Sequence, residues 1–140
     1  MPQPPNESEY RALAEFRHRL RLFLTFSEAA ARAAGVEPQQ HQFLLALKGL
    51  SPAERPTVRA LADQLQLKHH TVVGLVNRLV ARGLVARERS TADAREILIR
   101  LTSRGDRLLA GLSSAHRAEL ETNGPALVKA LQAIVRKRRR

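Results

Sequence analysis

The feature that most restricts the fold is a change of hydrophobic period in the middle of the chain. Between Val58 and Leu79 apolar residues recur at three- and four-residue steps in two short blocks. Val58, Leu61, Ala62 and Leu65 form the first, and Val72, Leu75, Val76 and Leu79 the second. Only Gln66 to Lys68 separate them, so the spacing predicts two short helices joined by a tight turn, the helix-turn-helix outline. Thr57 is placed to cap the first helix and Gly83 to stop the second. Beyond Gly83 the period falls to two. Val85, Arg87 and Arg89 alternate with small or charged neighbours, Ile97, Ile99 and Leu101 do likewise, and the polar stretch Ser90 to Ala94 lies between, which predicts a β-hairpin with a basic rim.

Helical spacing also governs the flanks. Leu13, Phe16, Leu20, Phe23 and Leu24 stripe a long first helix that the alanines up to Ala34 continue and Gly35 ends. About 27 residues at 1.5 Å each give about 40 Å, longer than the core of so short a chain requires, and such a helix usually leans on a second subunit. Glu37-Pro38 opens a second helix with Phe43, Leu44, Leu47 and Leu50 on its buried face, and Ser51 to Pro56 form a loop. Thr102 is placed to cap a fifth helix carrying Leu108, Leu109, Leu112 and Ala115. Asn123-Gly124-Pro125 is expected to break the chain before a sixth helix with Leu127, Leu131, Ile134 and Val135.

The expected fold class is therefore mainly α with a small β-hairpin wing: a winged helix-turn-helix domain with long N- and C-terminal helices. In this division residues 1–6 are a disordered leader and residues 7–135 a single domain. The long terminal helices occupy about 7–34 and 103–135, the winged helix-turn-helix about 37–102, and a basic tail 136–140. That tail is ambiguous between added phosphate contacts and a solvated end.

Composition narrows the partners. Hydrophobic residues are 44% of the 140 but aromatics only 4%, so the core must come from Leu, Val and Ala, which favours helix on helix. With 24 Lys and Arg against 13 Asp and Glu the formal charge is +11, and nucleic acid is the commonest partner of such an imbalance. No apolar run approaches the roughly 18 to 20 residues of a membrane span, and Met1-Pro2-Gln3-Pro4-Pro5 lacks a signal peptide's basic and apolar regions. A cytoplasmic protein without a membrane partner is expected. The 140 residues contain no cysteine, which excludes disulfides, thiolate metal sites and thiol redox sensing within them. An enzyme is not expected: His69 and His70 are adjacent and point about 100° apart on a helix, so they do not converge on a metal, and neither a phosphate-binding glycine loop nor a nucleophile motif occurs. No metal or cofactor is called for.

A B-DNA major groove, about 12 Å wide, admits one α-helix, and a basic hairpin beside it can reach the neighbouring minor groove. With its apolar stripe turned to the core, the second helix of the pair presents His70, Val73, Gly74, Asn77 and Arg78 outward, with His69 and Thr71 at its N-terminal end. These side chains, with Arg87 on the hairpin rim, are the candidates for base edges and phosphates. Val73 suits a thymine methyl, and Gly74 permits close approach. The bland alternative is a solvated helix face. His41 and Arg17 could bind an anion, although solvent-exposed side chains are the expectation for both.

Several stretches resemble the MarR (multiple antibiotic resistance regulator) family of winged-helix repressors. They are Val58-Arg59-Ala60-Leu61-Ala62, His70-Thr71-Val72, Leu75-Val76-Asn77-Arg78-Leu79, Arg82-Gly83-Leu84-Val85, Asp93-Ala94-Arg95 and Leu101-Thr102-Ser103-Arg104-Gly105. The resemblance implies a homodimer built from the first, fifth and sixth helices, with the fourth in the major groove. It also implies that Arg95 enters the minor groove, oriented by Asp93. A carboxylate can fix a guanidinium fork, and a narrow minor groove concentrates negative potential, although a surface ion pair of no function is the competing account. Many members carry Ser or Thr followed by Arg where this chain has Val73 and Gly74, so the resemblance implies DNA binding but does not fix the operator sequence. The resemblance further implies a small effector, often phenolic or acidic, bound between the dimer helices and the DNA-binding lobe, whose binding releases the DNA. Sensing by cysteine oxidation, used in one branch, is excluded by composition.

The function expected is thus sequence-specific binding of double-stranded DNA by a homodimeric repressor on a pseudo-palindromic operator. The alternative is a winged-helix module that binds nucleic acid without sequence preference, or binds protein.

Overall fold

The computed structural model describes residues 2–136. Five helices and one hairpin follow in order: α1 (Glu7–Ala33), α2 (Pro38–Gly49), α3 (Val58–Leu65), α4 (His69–Ala81), β1 (Val85–Arg89), β2 (Ile97–Leu101) and α5 (Ser103–Arg136). They group into two compact units: Ala31–Leu112, and a second that joins the chain up to Ala30 with the chain from Ser113. The winged helix-turn-helix expected from the period change is present, and among the described residues no helix is long and apolar enough to cross a membrane.

In Ala31–Leu112 the local chemistry sets each boundary. Thr57 Oγ1 accepts the Ala60 N–H at 3.1 Å and starts α3. The turn after α3 closes on Gln66, held at φ 56°, a left-handed conformation that glycine usually supplies. Two bonds fix it there: Leu67 N–H to the Ala62 carbonyl at 3.0 Å, and Gln66 Nε2 to the Asp63 carbonyl at 2.9 Å. α4 stops at Gly83, φ 70°, whose N–H reaches the Val80 carbonyl. β1 and β2 pair antiparallel from Val85 opposite Leu101 to Arg89 opposite Ile97. The core beneath is built from Phe43, Leu44, Leu61, Val72, Leu75, Val76, Leu79, Val85 and Ile99, all sealed from water.

Gly105 explains the last residue of the Leu-Thr-x-x-Gly stretch. A Cβ there would sit 2.0 Å from the Leu84 carbonyl oxygen, so only glycine lets α5 start against the end of α4's exit loop. Thr102 holds the same junction: its Oγ1 donates to the Gly83 carbonyl at 2.7 Å and accepts the Gly105 N–H at 3.0 Å.

In the other unit, α1 opens at Glu7 because Asn6 caps it. Asn6 Oδ1 accepts the Glu9 N–H and Glu9 Oε1 accepts the Asn6 N–H, both at 2.9 Å, so the last residue of the expected leader is tied to the helix by a reciprocal cap. The expected break at Asn123-Gly124-Pro125 does not occur, because α5 continues through Pro125 to Arg136 as one helix. Proline removes the hydrogen bond to the Glu121 carbonyl, but that residue is exposed, and water can replace the lost donor. Side chains bridge the turn before it, with Thr122 Oγ1 on the Ala118 carbonyl at 3.1 Å and Asn123 Nδ2 on Glu119 Oε2 at 2.7 Å. Between the helices of this unit His116 stands edge-on to Phe23 and Phe26, with ring centroids 6.0 and 5.3 Å away, and its Nε2 is 2.7 Å from Ser27 Oγ.

Candidate nucleic-acid interface

α4 carries no acidic residue, and its buried side consists of Val72, Leu75, Val76 and Leu79. The opposite side exposes His69, His70, Asn77 and Arg78, while Thr71, Val73 and Gly74 are half-buried. The expected outward set is therefore on one surface, with Val73 and Gly74 less open than the flanking polar residues. The helix N-terminus adds unpaired backbone N–H groups beside Lys68 and the two histidines, a favourable place for a phosphate. The Arg78 guanidinium lies along the helix beside Gly74, where a Cβ would meet its Nη1 at 3.4 Å, an ordinary contact.

The wing is tied to this helix. Arg87 Nη2 on β1 donates to Asn77 Oδ1, which brings together two candidates ten residues apart. At the hairpin tip Asp93 Oδ1 accepts the backbone N–H of Arg95 at 3.0 Å and lies 3.6 Å from its Nε. The carboxylate thus shapes the tip backbone as well as facing the guanidinium. Arg95 has 94% of its side chain in solvent, so its fork is free to reach outward.

A second layer escaped the sequence expectations. Ser90, buried at the end of β1, accepts the N–H groups of Ala92 and Asp93 at 3.1 and 3.3 Å and also a bond from Arg55 Nη2 at 2.7 Å. Arg55 Nε donates to Glu96 Oε1 at 2.7 Å, and the neighbouring Pro56 carbonyl accepts the Ile99 N–H at 2.8 Å. The loop before α3 therefore clamps both ends of the wing loop. Its partners lie 35 and 41 residues away, and no local period marks such a contact.

His41 departs from its expected exposure. At 2% it is buried in α2, because the helix is enclosed over a wide arc that takes in Gln40, His41, Phe43, Leu44 and Leu47, with Leu44 one turn from His41. Its Nδ1 lies 3.4 Å from Gln42 Nε2. Arg17 is exposed as expected. Arg136 of the basic tail is exposed, and residues 137–140 lie outside the described residues.

Known proteins share this arrangement. Residues 34–96, somewhat under half of the chain, match the model of the MarR family. The organic hydroperoxide resistance transcriptional regulator of Bacillus subtilis (strain 168) is 39% identical over 61 residues, which cover 44% of this chain and 42% of that protein. The chain thus matches less than half the length of this relative. Among solved structures, a point mutant of MepR from S. aureus bound to an oligodeoxyribonucleotide has a TM-score of 0.67 at 22% identity, covering 76% of this chain and 77% of that one. CouR from Rhodococcus jostii RHA1, bound to p-coumaroyl-CoA, has a TM-score of 0.63 at 26% identity, covering 81% and 83%. Residues 34–96, which bear α2, the helix-turn-helix and most of the wing, thus match the MarR family, and most of the chain shares the fold of solved structures of MarR family transcriptional regulators.

Proposed function

We propose that this protein is a sequence-specific, double-stranded DNA-binding repressor that acts as a homodimer on a pseudo-palindromic operator. The observation that carries the proposal is the pairing of an acid-free helix face with an exposed arginine at the wing tip, both on one rigidly cored unit. His69, His70, Thr71, Asn77 and Arg78 then serve the major groove and its phosphates, and Val73 packs on a thymine methyl over the close-approach position Gly74. Arg87 supports the helix from the wing, and Arg95 enters the minor groove with Asp93 holding the tip. The terminal helices α1 and α5 serve as the dimerisation arms of one functional domain, residues 7–135. The relatives support this reading: the B. subtilis protein is named as a transcriptional regulator, and MepR was solved with an oligodeoxyribonucleotide.

Release by a small acidic or phenolic effector belongs to the same proposal, and the CouR complex with p-coumaroyl-CoA supports that ligand class. A peroxide signal read through a thiol is not part of it, since the 140 residues contain no cysteine.

The deciding measurement is the ratio of affinities for a selected palindrome and for random duplex at one salt concentration. A regulator shows a ratio of roughly a thousand or more, with half-site centres about 34 to 36 Å apart, whereas a ratio near one marks a sequence-blind module. Arg95→Ala is expected to weaken operator binding about tenfold or more while the dimer persists. Unchanged affinity would remove the minor-groove role of Arg95.

A further inference from the structure

Beyond His69, His70 and Thr71 at its N-terminal end, the reading face of α4 is poor in hydrogen-bond acceptors. Its sequence holds neither Asp nor Glu, and among the described residues of the helix Asn77 is the one exposed side chain with a carbonyl oxygen. That oxygen is already engaged, because Arg87 Nη2 donates to it. The orientation of the amide follows from chemistry: a guanidinium has donors only, so the atom facing it must be Oδ1, and the Nδ2 hydrogens point away. The nearest carboxylate on β1, Glu88, is bound by Arg100 across the hairpin. Arg78 adds further donors along the same face, seated over Gly74.

Base edges differ in what they ask for. Guanine shows two adjacent acceptors, N7 and O6, in the major groove, whereas thymine shows a single one, O4, beside its methyl. Adenine shows the N7 acceptor beside an N6 donor, and cytosine shows a donor, so guanine alone satisfies a pair of donors. A free asparagine suits adenine, because its oxygen accepts from N6 while its nitrogen donates to N7. Here one lone pair of Oδ1 is taken, and a guanidinium cation stands beside it, which repels a second incoming donor. The Nδ2 hydrogens of Asn77 and the remaining N–H groups of Arg78 and Arg87 are left to face the bases.

We propose that the Asn77–Arg87 pair commits this surface to guanine, by withdrawing the amide acceptor that would otherwise recognise adenine. The inference rests on the regulator reading and deepens it: it names the base that each half-site must place opposite Asn77 and Arg78. Arg87 is then a specificity-determining residue acting through Asn77.

Selection of bound duplexes from a random library, followed by competition titrations at fixed salt, tests this. The wild-type protein is expected to select a symmetric site with guanine at one position in each half. Adenine or 7-deazaguanine at that position should weaken binding about tenfold. Arg87→Met keeps the aliphatic stem but frees Oδ1, and should reduce the guanine-over-adenine ratio to about twofold or less, whereas Arg87→Lys retains most of it. Arg95→Ala serves as the reference, with weaker binding but an unchanged base ratio, and far-UV circular dichroism checks that each variant is folded. A symmetric site with adenine at that position, or an Arg87→Met variant that keeps the tenfold guanine preference, overturns the inference and leaves the regulator reading standing. A selection that enriches no symmetric sequence overturns both.

Discussion

Within Ala31–Leu112, Phe43, Leu44, Leu61, Val72, Leu75, Val76 and Leu79 are sealed from water, whereas α1 and α5 in the other unit leave Leu13, Leu22, Leu24, Leu131 and Val135 between 44% and 60% exposed. Three helices and a hairpin can surround one another. Two helices meet along a single stripe, and a second apolar stripe on either stays wet. At roughly 25 cal/mol per Å² of buried apolar surface, covering several half-exposed leucines is worth several kcal/mol. A groove of about 220 Å³ lined by Leu22, Phe23, Leu120 and Leu127 lies on the same helix pair. The contrast teaches that one unit is built to be rigid alone and the other to be completed, in our proposal by a second copy of the chain.

The comparison can be broken at its strongest point first. Phe43→Ala should cost about 3 to 5 kcal/mol in urea unfolding, because a fully enclosed ring leaves a cavity its neighbours cannot fill. A loss below about 1 kcal/mol would mean that the sealed core is not what holds the winged unit. A charge on the other unit should act differently. Leu131→Glu, on an exposed position of α5, is expected to raise the dimer dissociation constant at least about tenfold in sedimentation experiments, with the melting of the winged unit unchanged. An unaltered oligomer would show that this face is not a subunit contact. The smallest effect is expected where both partners of a contact are partly solvated. Arg55→Ala should lower stability by no more than about 1 kcal/mol, since Arg55 and Glu96 remain in contact with water. It should nevertheless speed hydrogen exchange at the Ala92 and Asp93 amides, because Ser90, their acceptor, loses its anchor. Unchanged exchange would sharpen the picture by assigning the wing-loop order to the Ser90 and Asp93 turns alone.

Much of the candidate interface is legible in the sequence because helices and strands have fixed periods. The stripe from Val72 to Leu79 implies which side of α4 faces outward, and Thr57 and Gly83 mark its neighbourhood as caps. The tip residues Asp93 and Arg95 are legible only through the family resemblance, since two charges in a polar loop carry no period. His41 misleads: a polar residue beside Gln40 and Gln42 reads as surface, yet α2 is enclosed over more than one stripe, and Gln40 and His41 are buried along with Phe43, Leu44 and Leu47. Pro125 misleads in the opposite direction. A proline within a helix removes one hydrogen bond and crowds the preceding turn without always ending the helix, and here Thr122 and Asn123 add side-chain bonds to the turn before it.

By itself the sequence determined the order of elements from α1 to the wing, the inward side of α3 and α4 and the surplus of positive charge, because these follow from spacing and composition along one dimension. Tertiary structure alone decided that Arg87 holds Asn77, that Arg55 holds Ser90 and Glu96, and that Gly105 must remain bare against the Leu84 carbonyl. Each of those depends on two backbone segments meeting at a distance set by packing. Side-chain chemistry at either position is compatible with many partners until the fold brings one within reach.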